Sequence, residues 1–300
     1  MRLVYLGSPA ISVPALDALV DAGHDVALVV TNPPRRRGRR GAPTPTDVGA
    51  RANELGLEVS HELADATGVG AELGVVVAFG RLVPVAVLDS LPMLNLHFSL
   101  LPRWRGAAPV ERAILAGDTT TGVCVMAVEE GLDSGGVYAR AEVGIGERAT
   151  AAELSMQLSA LGAGLLVDTL AGDLGPATPQ NEVGVTYAAK LSAADRELHW
   201  SDDALALDRV VRIGGAWTTL DGSRLKVLEA VPSVPQRGGA AARSEQHPDL
   251  RTPGRLRGAV VECGSGSLEL VRVQPEGRSE MDVDRFLNGA RLAREARLGT

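Results

Sequence analysis

Apolar residues open the chain as a short continuous run and then recur at wider spacing. Leu3-Val4-Tyr5-Leu6 has the length of a buried strand, and Gly7-Ser8-Pro9 turns out of it. Val13, Leu16, Leu19 and Val20 share one helical face, which predicts a helix from Val13 to Ala22 with Gly23 just past its end. Val26 to Thr31 reads as a second buried strand. Strand, helix and strand at this length make a βαβ unit, so a parallel sheet is expected. The pattern continues with a helix over Asp47 to Leu55, a short strand beginning at Val59 and a strongly apolar strand from Gly74 to Gly80. A short helix follows over Pro84 to Leu88, then a strand ending near His97. Pro109 suits the first turn of a helix over Val110 to Ala116. Thr121 to Val128 is a further strand, Val137 to Ala139 and Glu142 to Ile145 look like a hairpin-type edge, and Thr150 to Thr169 is a long amphipathic helix.

The pattern changes after this helix. Residues 185–203, with Val185 to Ser192 and Arg196 to Trp200, read as a polar connection with little periodicity. A helix over Ala204 to Ile213 then gives way to short runs at Ala216 to Leu220, Leu225 to Ala230, Gly258 to Cys263 and Ser267 to Val273. Short strands with glycine-rich turns suggest a small barrel. Ser233 to Arg255 is a Gly/Ala/Arg/Pro-rich insertion expected to be a mobile loop, and Met281 to Arg294 is expected as a final helix. Three segments result: a domain over 1–184, a linker over 185–203 and a second domain over 204–300. The first is expected to be a Rossmann-like, mostly parallel α/β sheet domain. Its Gly7 loop lacks the G-x-G-x-x-G pattern, which argues against a nicotinamide site.

A chain of 300 residues fits one large or two ordinary domains. Apolar residues make up 45% and aromatic residues only 3%, so the core must be built from Ala, Val and Leu. The net charge of −7 argues against a uniformly basic nucleic-acid binder, but the charge is uneven. Residues 1–204 carry 15 basic and 25 acidic groups, whereas residues 205–300 carry 15 and 12. The two halves therefore suit different partners. Lys190 and Lys226 are the only lysines, so an arginine in this chain carries less information than usual. Cys124 and Cys263 show neither metal-ligand spacing nor a disulfide framework and read as buried, reduced thiols. No His, Cys or carboxylate cluster calls for a metal. The start reads as a strand and not a signal peptide, and no run approaches the ~20 apolar residues of a spanning helix. A cytoplasmic protein without membrane contact is expected, and a monomer.

Three places carry candidate chemistry. Asn95 and His97 sit two apart at a strand end, so both side chains point to one face. An amide NH2 and an imidazole could together donate to an oxygen that becomes negative during a reaction. They could equally be core groups satisfied by backbone. Asp133, in Leu132-Asp133-Ser134-Gly135, is either a turn residue or a partner for His97. Arg35, Arg36, Arg37, Arg39 and Arg40 lie in a Gly/Pro-bounded loop on an otherwise acidic domain. That loop is either a solvated charge run or a local field for phosphates.

The run His97-Phe-Ser-Leu-Leu-Pro-Arg-Trp-Arg-Gly-Ala-Ala-Pro109, followed by Leu132-Asp133-Ser134-Gly135, closely resembles the folate-dependent formyltransferases. Among them it is most similar to the branch that acts on methionyl-tRNA, and the likeness covers nearly the whole chain. The resemblance implies transfer of formyl from 10-formyltetrahydrofolate to the α-amine of methionyl-initiator tRNA. It implies Asn95, His97 and Asp133 as catalytic residues, with Asp133 orienting the imidazole. It places folate against Ser99, Leu100, Leu101 and Pro102, with Phe79 in the loop lining the folate pocket. It makes the second domain OB-like, with a basic side toward tRNA, and brings the arginine loop to the acceptor stem, although this loop is about two residues shorter than is usual in that branch. Three other functions are weighed. Glycinamide ribonucleotide formyltransferases share the Asn, His and Asp but are normally one domain. Formyltransferases acting on an amino sugar nucleotide share both domains, but Arg103 to Pro109 and the arginine loop stand against them. A catalytically silent RNA- or folate-binding module has no need of all three polar residues.

Overall fold

The computed structural model describes residues 1–36, 41–233, 252–290 and 296–300. The expected mobile insertion therefore lies mostly outside the described residues, as do 291–294 of the expected final helix. The chain forms two compact units. One comprises Met1–Ala113, Asp118–Glu147 and Glu153–Lys190; the other comprises Ile114–Gly117, Arg148–Ala152 and Leu191–Thr300.

In chain order the first unit is built from β1 (Arg2–Gly7), α1 (Val13–Asp21), β2 (Asp25–Val30), the two-residue strands β3 (Arg35–Arg36) and β4 (Pro43–Thr44), and α2 (Asp47–Glu54). Then come β5 (Val59–Ser60), β6 (Leu73–Val77), α3 (Val85–Leu88), β7 (Met93–His97), β8 (Arg105–Gly106) and α4 (Pro109–Ala116). It is completed by β9 (Thr120–Ala127), β10 (Val137–Gly144), α5 (Ala151–Leu170) and β11 (Tyr187–Ala188). Seven strands make one sheet in the order β10-β9-β7-β6-β1-β2-β5. From β7 to β5 every pairing is parallel, while β9 runs antiparallel to β7 and β10 antiparallel to β9. The domain is thus a mixed α/β sheet with a parallel centre. All five residues of β6 are buried, which requires cover on both sheet faces. β10 instead alternates half-buried with exposed positions along most of its length, as an edge strand must. It is one continuous strand and not the expected hairpin, because Ala139, Arg140 and Ala141 stay in register with Val125, Cys124 and Val123.

The second unit continues with α6 (Ala204–Arg212), β12 (Trp217–Leu220), β13 (Ser223–Ser233), β14 (Leu256–Arg257), β15 (Val260–Glu262), β16 (Ser267–Pro275), β17 (Met281–Asp282) and α7 (Val283–Ala290). Its sheet is antiparallel in the order β12-β13-β16-β15-β14, with β17 beside β16. Met281 therefore belongs to a strand, and the last helix begins at Val283. The N–H of Gly299 donates to the Thr219 carbonyl, and that of Leu298 to the Gly254 carbonyl, so the last residues bridge the two ends of this sheet. Leu198 and Trp200 sit in the same core as Leu207, Val227, Leu270 and Phe286, and Trp200 Nε1 donates to Thr218 Oγ1 at 2.9 Å. The expected connecting stretch thus supplies core side chains after Leu191, while Tyr187–Ala188 forms a strand with Arg105–Gly106 in the first unit. Among the described residues no helix is long and apolar enough to cross a membrane.

Candidate active site

The parallel strands β1, β2, β6 and β7 deliver their carboxyl ends to one edge, where ligands bind in open α/β sheets. Asn95 and His97 point to one face of β7, opposite Met126 and Cys124 of β9. After β9 the chain swings back to Asp133, which takes φ +46°, a region that L side chains rarely occupy. The three residues meet there. Asn95 Nδ2 donates to Asp133 Oδ1 at 3.3 Å, and His97 Nδ1 lies 3.6 Å from Asp133 Oδ2, an ion-pair distance. The Gly106 N–H donates to Asp133 Oδ2 at 2.7 Å. Gly106 has φ +121°, and a Cβ there would lie 2.9 Å from the Ala188 carbonyl oxygen, so only glycine fits this approach.

His97 is 5% exposed, and its Nε2 lies 2.8 Å from the Trp104 carbonyl oxygen. A carbonyl only accepts, so Nε2 carries a hydrogen and Nδ1 is the nitrogen that faces Asp133. The amide of Asn95 carries two hydrogens; one serves Asp133, and the other has no partner among the described residues. Cys124 is fully buried across the ladder from His97, and burial pushes its thiol up, so it stays neutral.

These groups stand at the wall of a cavity of about 770 Å³, a volume suited to a small organic ligand. Asn95, His97, Gly106 and Asp133 form its polar side, and Phe79, Leu82, Val83, Pro84 and Val85 its apolar side. Asn32 Nδ2 fixes the apolar loop by donating to the Phe79 carbonyl at 3.1 Å, and Arg81 lies over the Phe79 ring at 5.3 Å. Glu129 and Glu130 also line the cavity.

Phe79, expected beside the folate, is in this wall, but Ser99, Leu100, Leu101 and Pro102 are not. The side chains of Leu100 and Leu101 turn inward. Leu101 packs with Cys124, Met126 and Val137, and Leu100 covers the space a side chain at Gly122 would fill. Ser99 is fully buried and donates to the Arg103 carbonyl at 2.6 Å. The turn thereby fixes the stretch that carries the Trp104 carbonyl to His97. Arg35 and Arg36 are exposed on β3, paired with Thr44 and Pro43, and do not line the cavity. Arg37, Arg39 and Arg40 lie outside the described residues. Sequence reasoning missed Gly106, Arg105 and Gln180. Gly106 had a signal, a glycine inside the motif shortly before Pro109 opens α4; Gln180 had none.

A family model described as formyl transferase matches residues 1–170, and one described as formyl transferase, C-terminal domain, matches residues 190–291. The methionyl-tRNA formyltransferase of Roseobacter denitrificans is 47% identical over 97% of this chain and 97% of its own. That of Dinoroseobacter shibae is 46% identical over 97% of this chain and 98% of its own. The chain belongs to the methionyl-tRNA formyltransferase family. Among solved structures it is similar to an N-formyltransferase from Helicobacter canadensis in complex with folinic acid and dTDP-3-aminofucose. That likeness has a TM-score of 0.67 at 15% identity over 90% of this chain and 99% of the other, and it speaks to the fold.

Proposed function

We propose that the chain transfers the formyl group of 10-formyltetrahydrofolate to the α-amine of methionyl-initiator tRNA, yielding N-formylmethionyl-tRNA for translation initiation. The observation that carries this reading is the meeting of Asn95, His97 and Asp133 at one wall of a cavity whose other wall is apolar. The apolar wall from Phe79 to Val85 suits a flat heteroaromatic ring. The amine of an aminoacyl ester is largely neutral near pH 7, because the ester withdraws electrons, so it requires no activated serine or cysteine. As the amine adds to the formyl carbon, a C–N bond forms and the carbonyl oxygen becomes negative. The free hydrogen of the Asn95 amide is the donor for that oxygen, and His97, whose Nε2–H is held by the Trp104 carbonyl, joins it through Nδ1 when that nitrogen takes up a proton beside Asp133. Asp133 accepts the amine proton directly or through a water, and the folate nitrogen regains a proton as its bond to carbon breaks. Ser99, Leu100, Leu101 and Pro102 act in this scheme through His97 and Trp104, beside the folate and not as its wall.

The roles of the parts follow. Residues 1–184 form the catalytic domain, 185–203 join it to the second while adding Tyr187–Ala188 to the first unit and Leu198 and Trp200 to the second core, and 204–300 form an OB-like, tRNA-facing barrel, supported by the bridging of both sheet ends by Leu298 and Gly299. Arg35, Arg36, Arg37, Arg39 and Arg40 meet tRNA phosphates, and the protein acts as a cytoplasmic monomer. One assay tests the reading. The protein is incubated with 10-formyltetrahydrofolate and, separately, methionyl-initiator tRNA, glycinamide ribonucleotide and an amino sugar nucleotide, and tetrahydrofolate release is followed. Release with the tRNA alone is expected. Release with the amino sugar nucleotide instead would assign the chain to sugar formylation, and no release with any acceptor would leave a binding module.

A further inference from the structure

Asp133 holds a left-handed backbone, φ +46°, in the turn after β9, and something must keep that turn in place. One side chain grips it from behind. Gln180 Nε2 donates to the carbonyl oxygens of Asp133 and Gly135, each at 2.8 Å, which uses both amide hydrogens. Its Oε1 accepts from Arg105 Nε at 3.0 Å and Nη2 at 2.8 Å. A guanidinium can only donate, so Arg105 decides which end of the amide faces the turn. Arg105 is 6% exposed and has no carboxylate partner among the described residues. A buried guanidinium without a carboxylate is costly, which marks this contact as one that the fold maintains for a reason. Strand β8 therefore grips Asp133 twice: Gly106 holds its carboxylate, and Arg105, through Gln180, holds its backbone. At Gly135 a Cβ would lie 2.1 Å from the Ala127 carbonyl oxygen, so the turn has no slack on its other side. Gln180 does not line the cavity, and it lies between the stretches matched by the two family models.

We infer that Gln180, oriented by Arg105, is a positioning residue for formyl transfer, holding the Asp133 carboxylate at Asn95 and His97. The inference rests on the proposed reaction. Gln180→Glu tests it, because glutamate keeps the shape and the contact to Arg105 but sets an acceptor oxygen against two carbonyl oxygens. A misplacement of about 1 Å can cost on the order of 10² in rate. The variant should therefore lose about ten- to a hundredfold in kcat for methionyl-tRNA, with KM for tRNA and folate within about twofold of wild type. In an Asp133→Asn background the same change should cost less than about twofold, since a residue that acts through Asp133 has nothing left to position. Thermal melting reports folding; if the glutamate variant does not fold, Gln180→Met, similar in length and lacking both polar groups, takes its place in both backgrounds. Equal losses in the two backgrounds, or wild-type kcat in the single variant, overturn the inference. Absence of transfer by the wild-type protein would instead defeat the reaction itself.

Discussion

The turn after β7 and the hairpin after β2 leave the same edge of one sheet, and they are built in opposite ways. After β7 the chain is held from many sides: Ser99 to the Arg103 carbonyl, the Trp104 N–H to Thr186 Oγ1, Trp104 Nε1 to Asp118, and the Gly106 N–H to Asp133. After β2 the described part is a two-residue ladder with both arginines exposed, tied at its neck where Thr31 and Thr46 hydroxyls meet at 2.6 Å. The first turn uses its polar groups in hydrogen bonds within itself and to Asp118, Asp133 and Thr186, so it fixes atoms in space. The described part of the second leaves the Arg35 and Arg36 side chains exposed. Changes in the first should therefore act on kcat, and changes in the second on the salt dependence of tRNA binding.

The largest effect is expected at Asn95. Removing one oxyanion donor costs on the order of 10²–10³ in rate, and Asn95→Ala should lose about that in kcat. Stability should change little, because the side chain makes one hydrogen bond among the described residues, at 3.3 Å to Asp133. Steady-state kinetics beside a thermal melt checks both, and a folded variant within a few-fold of wild type removes Asn95 from the mechanism. Gly106→Ala attacks the brace itself. A Cβ at φ +121° meets the Ala188 carbonyl oxygen, and strained backbone of this kind costs about 1–3 kcal/mol. Urea unfolding should show that loss together with a fall in kcat; full stability would mean the β8 strand is not a fixed brace.

Effects in the hairpin should be of another kind. Replacing Arg35, Arg36, Arg37, Arg39 and Arg40 with Ser should weaken tRNA binding and flatten its salt dependence, by somewhat under one unit of log–log slope per lost phosphate contact. Folate affinity should not move, since Arg35 and Arg36 do not line the cavity. Unchanged kcat/KM for tRNA at 150 mM salt would reduce the loop to a solvated charge run. The smallest effect is at the neck. Thr46 caps α2 by accepting from the Gly49 N–H at 3.0 Å, so Thr46→Ala should cost about 1 kcal/mol of stability and leave kcat intact. A large loss of kcat there would show that the two turns are coupled.

The same contrast explains what could be read from the sequence. The strands at Leu3, Val26 and Gly74, and the helices beginning near Val13, Asp47 and Ala204, follow from apolar spacing and lie within a few residues of their observed bounds. The spacing of Asn95 and His97 was enough to put them on one face. The partners that hold them were hidden, because they join the chain across long separations without periodic signal. Gln180 meets Asp133 across 47 positions. Arg105 is buried although arginine normally faces water, and its burial depends on that distant amide. The turn from Ser99 to Pro102 faces the core because Leu101 fills a space beside Cys124 and Met126, a fact of packing that no local pattern carries. Leu198 and Trp200 were similarly obscured by the polar residues around them.

Asn95, His97, Gly106 and Gln180 all converge on Asp133. Single-turnover formylation of methionyl-initiator tRNA by Asp133→Asn, with folate affinity measured on the same preparation, isolates its charge. The expected result is a loss on the order of 10² or more in the transfer rate, a folate Kd within about twofold of wild type and an altered pH–rate profile. A transfer rate within a few-fold of wild type with an unaltered profile would show that Asp133 only makes the turn and takes no part in the transfer.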